Sequence, residues 1–452
     1  MSPAARGAAP ALVVPALGPV ARPKRLTAAE RTLPSGLTVL AVRRTSVPMV
    51  EVRLRVPFSA AAASHPARAE LLADSLLSGT DRRSREDIAS TVQGLGGSLS
   101  TSVDADRLLI GGSALVTEVK PLLALLGEVL TRAAYPGAEV ARDRARLIER
   151  LTIARSQAGT IAHEALAHRL FGRHPYALDM PQPEAVAATT AAQVRRLHAA
   201  RVRARGATLI LVGDFSPKRV LNQAATALAD WTGDEPAAAI PALPPIEPGA
   251  AVLLDRPASV QSALRLGGAA VGRTHPDAPA LNLANLVFGG YFSSRWVENI
   301  REDKGYTYSP RSAVEHHVLG SVFTAAADVA TEVTAAALLE TQYELGRIAS
   351  LPVTDAEVDA VRQYAIGTLA LSVATQSGLA STLSSLAGSG LGLDYLAAQP
   401  GRLAAVTTEQ VSAAAATYLA PSRLVTVIVG DAAQVSDPLR AITALAPADP
   451  AS

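Results

Sequence analysis

The sequence of 452 residues contains no cysteine. Disulfides, thiol catalysis and cysteine-based metal sites are therefore excluded, and a reducing, cytoplasmic location is expected. Aromatic residues reach only 4%, although hydrophobic residues as a class reach 49%. The core must therefore be packed mainly from Ala, Leu and Val. No run of 18 or more apolar residues occurs, so no membrane-spanning helix and no membrane partner are expected. Neither sign of charge dominates: 42 basic and 40 acidic residues leave a net charge of +2. With no long basic block, nucleic acid is not an expected partner. Two common catalytic signatures are also missing. There is no Gly-x-Ser-x-Gly elbow, and GSGLG at 388–392 lacks the Lys-Ser/Thr and the preceding strand of a phosphate loop.

A chain of this length exceeds one hydrophobic core, and internal repetition indicates how it divides. SHPARAELLADSLLSGT, from Ser64, is echoed by THPDAPALNLANLVFGGYFSS, from Thr274. TAAQV (190–194) returns as TTEQV (407–411), and TLILVGDF (208–215) as LVTVIVGDA (424–432). Three landmarks in one order at nearly one spacing indicate two homologous domains, expected over 29–233 and 251–435. Residues 234–250 between them carry five prolines. Proline's missing N–H and fixed φ forbid a regular helix or central strand there, which marks a linker. Residues 1–28 include AAPALVVPALGPVA, which is apolar but short and broken by three prolines. They read as a flexible arm rather than a signal peptide, and 436–452 as a tail.

Within the first half, GLTVLAVRR and MVEVRLRVPF alternate as two strands of an antiparallel pair. Helices are expected at 65–78 and 84–95, the second capped by Ser84 near Glu86. A hairpin follows over 98–115, then helical runs near 117–133 and 138–171, and a closing strand at 208–215. The second half repeats the order. The fold class is α+β: two duplicated domains, each a curved, mainly antiparallel sheet covered by helices on one face.

The stretch 66–80, PARAELLADSLLSGT, places Glu70 and Asp74 four apart, on one face of a helix, with Ala73 between them at i+3. Two histidines at that spacing, with a glutamate at i+3, would hold zinc and activate its water. Here the spacing is kept and the chemistry is not. A second stretch, NIREDKGYTYSP, sets Arg301 seven residues before Tyr308, downstream of Gly289, Gly290, Ser293, Ser294 and Arg295. Together these frames resemble the pitrilysin/insulinase-like (inverzincin) metallopeptidases. Their H-x-x-E-H helix runs into an apolar pair and a Gly-Thr turn, matched here by Gly79-Thr80. The resemblance puts the two zinc histidines on Glu70 and Asp74, and the catalytic glutamate on Ala73. Arg301 and Tyr308 then match the pair that holds the substrate carbonyl and stabilises the oxyanion.

What the resemblance implies is a half-shell of two domains with the zinc motif lost, inactive alone and binding no cofactor. The expected partner is a zinc-bearing sister subunit carrying H-x-x-E-H, in a heterodimer that hydrolyses peptides or unfolded segments. An inert scaffold, or a subunit that binds and presents a peptide, is the alternative within the same fold. Other candidates carry less. His163 and His168 in AHEALAHRL are five apart and diverge by about 140° around a helix. His174 is expected to be structural, and His316 and His317 would face opposite ways on a strand. Glu149 falls near the family's distal zinc-ligand glutamate. With Glu70 and Asp74 it would form either a weak Mg or Ca site or, as expected here, carboxylates paired to nearby arginines.

Overall fold

The computed structural model describes residues 26–178, 180–233 and 239–446. The first half opens with β1 (Thr27–Thr32), β2 (Thr38–Arg43) and β3 (Met49–Pro57), followed by α1 (His65–Ser75) and α2 (Arg85–Gly94). The hairpin is β4 (Ser98–Val103) and β5 (Arg107–Leu115). Then come α3 (Val119–Arg132), α4 (Gly137–Arg155), α5 (Ala158–Phe171), α6 (Pro183–Ala187) and α7 (Ala191–Arg201). The half closes with β6 (Thr208–Gly213) and α8 (Pro217–Ala227).

The second half repeats this plan with β7 (Ala251–Asp255), β8 (Gln261–Ala270), α9 (Ala278–Asn285) and the short α10 (Arg295–Val297). β9 (Arg311–His316) and β10 (Ser321–Ala330) form its hairpin. The helices α11 (Thr334–Ser350), α12 (Asp355–Ser372), α13 (Gln376–Ala387), α14 (Leu393–Ala404) and α15 (Thr408–Tyr418) follow, then β11 (Val425–Gly430), α16 (Ala432–Arg440) and β12 (Leu445–Ala446).

The strand orders make the duplication explicit. One sheet runs β1-β2-β6-β3-β5-β4 and the other β12-β7-β11-β8-β10-β9. Five consecutive strands correspond, and only the outermost strand at one edge differs. The repeated TAAQV and TTEQV are helix starts: Thr190 and Thr407 each accept a hydrogen bond from the N3 amide, while Gln193 and Gln410 return the bond. Ser84 caps α2 in the same way, with Asp87 rather than Glu86 as its reciprocal partner.

Several expectations are corrected. The strands β2 and β3 are not neighbours: β6 lies between them, parallel to β2 and antiparallel to β3. TLILVG is buried along almost its whole length, and such a continuous apolar run suits a strand covered on both faces. The helical run from 138 breaks at Ser156 and at Gln157, whose backbone is extended, and α5 leaves its own half. Thr27 and Ala28, assigned to the arm, pair with β2; the rest of that arm lies outside the described residues, apart from Leu26. The second domain also runs past 435. Val435 and Leu439 of α16 are buried and β12 pairs with β7, so only 447–452 of the expected tail lies outside the described residues.

Each half has its own core, with Leu54, Leu72 and Leu126 central to the first and Phe288, Trp296 and Phe323 to the second. The second face of each sheet receives a helix from the opposite half. Leu166 and Leu170 of α5 pack with Val425 and Val427 of β11. Leu379, Ala380 and Leu383 of α13 pack with Leu40, Val42, Ile210 and Val212 of β2 and β6. Helix cover is thus not confined to one face. The proline-rich linker has neither helix nor strand among its described residues, 239–250. It is pinned rather than loose: Ile240, Leu243 and Ile246 pack against the α5 cluster, and His174 hydrogen-bonds the Pro241 carbonyl at 3.0 Å.

Candidate functional site

The zinc-motif positions lie on α1, where alternate faces meet different surroundings. Ala73 is 1% exposed and packed in the first core, and its carbonyl accepts a 2.5 Å hydrogen bond from Thr101 of β4. A carboxylate at position 73 would be buried there without a partner. Glu70 and Asp74 face α4 and both meet Arg150, whose Nη2 lies 3.6 Å from Glu70 and 3.1 Å from Asp74. Burial raises the Asp74 pKa above the ordinary carboxylate value, and Arg150 offsets part of that rise. Glu149, the neighbouring residue, is exposed; one position along α4 turns it about 100° from Arg150. Where three acidic or imidazole ligands would be needed, the chain presents a guanidinium. Among the described residues no group of three His, Cys, Asp or Glu could hold a metal ion. The donor set therefore does not fit zinc, and the acidic trio Glu70, Asp74 and Glu149 is not assembled as a metal site. The Gly79-Thr80 turn that follows is intact: the Thr80 hydroxyl donates to Glu128 at 2.7 Å and accepts from the Arg82 and Arg83 amides.

Arg301 and Tyr308 are brought together in the second half. A π-helical turn over Glu298–Asp303 carries Arg301, and Gly305, at φ +67°, turns the chain back toward Tyr308. The Arg301 guanidinium lies 4.6 Å from the Phe292 ring centroid and 4.9 Å from that of Tyr308, within cation–π range. Its Nε also pairs with Glu302 at 3.1 Å. Tyr308 is 83% exposed, and its hydroxyl makes no hydrogen bond among the described residues. The segment is anchored from below. Arg295 makes two bonds to Glu357, at 2.6 and 2.9 Å, which hold that carboxyl down at about 2. Ser294 is buried and donates to the Tyr291 carbonyl at 2.7 Å. The arrangement offers a fixed cation and a free phenol on one exposed surface. It can hold a carbonyl or carboxylate oxygen, but it contains no group to generate a nucleophile.

Glu164, His316 and His317 each have a partner. Glu164 binds Arg155 through both oxygens, at 2.6 and 2.9 Å. His316 bonds Ser321 at 2.7 Å, while His317 stacks on Tyr176 at 4.6 Å. Two site residues escaped the sequence reading. Arg150 carried no signal beyond its place one residue after Glu149, and Phe292 lay inside the Gly-rich turn whose glycines and serines drew attention.

Residues 188–364 match the family model described as the peptidase M16 inactive domain. This stretch, less than half of the chain, is similar to that domain. It contains Arg301, Tyr308 and the Arg295–Glu357 anchor, and excludes α1. The chain is also 24% identical over 242 residues to an uncharacterized zinc protease of Streptomyces coelicolor, covering 52% of each chain. It is 23% identical over 293 residues to an uncharacterized zinc protease of Mycobacterium leprae, covering 63% of this chain and 65% of that one. The chain thus spans about half to just under two thirds of these relatives' length. Among solved structures, the peptidase M16 inactive domain of Pseudomonas fluorescens superposes with a TM-score of 0.84 at 24% identity, over 90% of this chain and 98% of the other. A protease of Helicobacter pylori superposes at 0.82 and 16% identity, over 90% and 100%. At these identities the structural agreement is one of fold.

Proposed function

We propose that this chain is the non-zinc subunit of a two-chain M16 peptidase and completes the active site of an H-x-x-E-H partner. One observation carries the reading: Arg301 and Tyr308 stand together on the surface with donors to spare, while the chain's own zinc position is closed by Arg150. The partner supplies the zinc and the activated water. This chain's part is to orient the peptide carbonyl and to meet the negative charge that develops on its oxygen. A phenol and a guanidinium aimed at that oxygen contribute in the transition state, and losing one such donor costs about 3–4 kcal/mol.

The test begins with purification from the native host, followed by identification of companions by mass spectrometry. A near-stoichiometric companion carrying H-x-x-E-H is expected, with peptidase activity only in the assembled pair. In that pair, Tyr308→Phe and Arg301→Ala should each lower kcat by about two decades without loss of assembly. Intact assembly with unchanged turnover would favour the inert scaffold. Recovery of self-copies alone, with no peptidase partner, would end the proposal.

A further inference from the structure

Between the two halves, beside α5 and the C-terminal end of α13, lies a cavity of about 390 Å³. Neither the α1 acids nor the Arg301 cluster lines it. Its walls include Arg55, Arg273, His316, Tyr176 and Ser385.

Arg55 reaches this space through the alternation of β3, which sends Val52, Leu54 and Val56 into the core and Arg53 and Arg55 to the face under α13. Arg53 is fully engaged, bonding Ser377 at 2.8 Å, Ser381 at 3.2 Å and Glu51 at 3.0 Å. Arg55 is only 7% exposed, yet its side chain makes no hydrogen bond or ion pair among the described residues, and its Nε is buried without an acceptor. Arg273 donates once, to Ser385 at 3.3 Å, and its Nε is likewise buried without an acceptor. Acidic groups in the wall are already committed. Asp104 pairs with Arg107 at 3.0 Å, Asp106 accepts from the Tyr176 hydroxyl at 2.6 Å, and Glu315 from Thr324 at 2.8 Å. Burial and the neighbouring Arg107 depress the Arg55 pKa, and Asp106 and Asp104 offset this from a distance. The same burial, with Arg273, pushes His316 down to about 4, so it adds no charge at neutral pH.

The duplication shows what would ordinarily occupy this position. Leu54 stands opposite Leu209 in one sheet and Leu266 opposite Thr426 in the other, so Arg55 corresponds to Gly267. Counting from the helix N-caps Gln157 and Thr375, Leu170 corresponds to Gly388. In the second half, Gly267 leaves room for Leu170: a Cβ there would lie 3.1 Å from the leucine. In the first half the contact is inverted, and a Cβ on Gly388 would lie 3.1 Å from an Arg55 Nη. An apolar closure in one half is replaced in the other by a buried cation whose side chain has no hydrogen-bonded partner among the described residues, with Asp104 and Asp106 acting on it only from a distance. Such a cation is costly unless a ligand completes it.

We infer that this cavity binds an oxyanion, a phosphate or a carboxylate, clamped between Arg55 and Arg273. Guanidinium forks suit both groups, and the volume suits a ligand about the size of a short peptide end.

Titration calorimetry on the full chain at low ionic strength tests this with three probes: inorganic phosphate, N-acetyl-trialanine with a free carboxylate, and its C-terminal amide. Saturable binding of phosphate or of the free acid is expected, at least tenfold weaker in Arg55→Leu and in Arg273→Met. Phosphate alone would name a phosphate ligand; the free acid, with no binding of the amide, would name a peptide carboxyl terminus. Arg55→Leu restores the leucine–glycine pairing of the other half and should raise Tm in anion-free buffer. If that variant fails to fold, Arg273→Met reads the same affinity. Absence of saturable binding by either anion, or binding unchanged in the variants that fold, overturns the inference.

Discussion

At the scale of single residues, Arg150 decides what α1 can no longer do. Its guanidinium occupies the space between positions 70 and 74 that a metal would need. Arg150 is itself more than half exposed, so each of its pairs stabilises the fold by at most about 1 kcal/mol. The consequence is chemical more than energetic. Glu70→His with Asp74→His would restore two imidazoles at i and i+4 but leave a cation where the third ligand belongs. Zinc affinity in that double variant should stay weak, and adding Arg150→Glu should strengthen it by at least tenfold, because zinc sites of this kind need three protein ligands. Competition against a chromogenic chelator would measure this. Equal affinity in the double and triple variants would show that Arg150 does not block the site.

At the scale of elements, the Arg301 segment depends on its tie to α12. Glu357 is the N3 residue of that helix, caps it with Thr354, and also receives both bonds from Arg295. Its folded pKa, about 2, lies below the ordinary value of about 4.5. The carboxylate form is therefore the one the fold stabilises: the contribution is complete above pH 4.5 and is lost as pH falls toward 2. Glu357→Gln should cost on the order of 1–2 kcal/mol at neutral pH, after allowing for partial exposure, and should flatten the acid limb of stability between those values. Urea unfolding at pH 7, 4 and 2.5 would show it; an unchanged acid limb would remove Glu357 from that role. This tie was not legible in the sequence, since Arg295 and Glu357 are far apart along the chain. What was legible was local: the 98–115 hairpin, the Ser84 helix start, and the α1 spacing, each set by neighbours within a few residues. The place of β6 between β2 and β3 was not, because strand order is fixed by non-local pairing that alternation does not encode.

At the scale of the molecule, the exchange of α5 and α13 was also hidden. Ser156-Gln157 carries neither proline nor glycine to announce a break, and only the assembled sheets show where each helix goes. The exchange makes the halves interdependent. Without α13, the face bearing Leu40, Val42, Ile210 and Val212 is bare, and without the second half α5 has no sheet to cover. Each large aliphatic side chain so exposed forfeits roughly 1.5–3 kcal/mol, and several lie on each interface, a sum comparable to the whole stability of a domain. The two halves should therefore unfold as one unit despite having separate cores. Residues 26–233 and 239–446, expressed apart, should each lack a cooperative melt and bind a hydrophobic dye, and should regain a single transition when co-expressed. Leu383→Ala in the intact chain should cost about 2–5 kcal/mol and lower hydrogen-exchange protection in β2 and β6, strands of the other half. A sharp, independent transition from either isolated half would show that the exchanged helices decorate the sheets rather than join them.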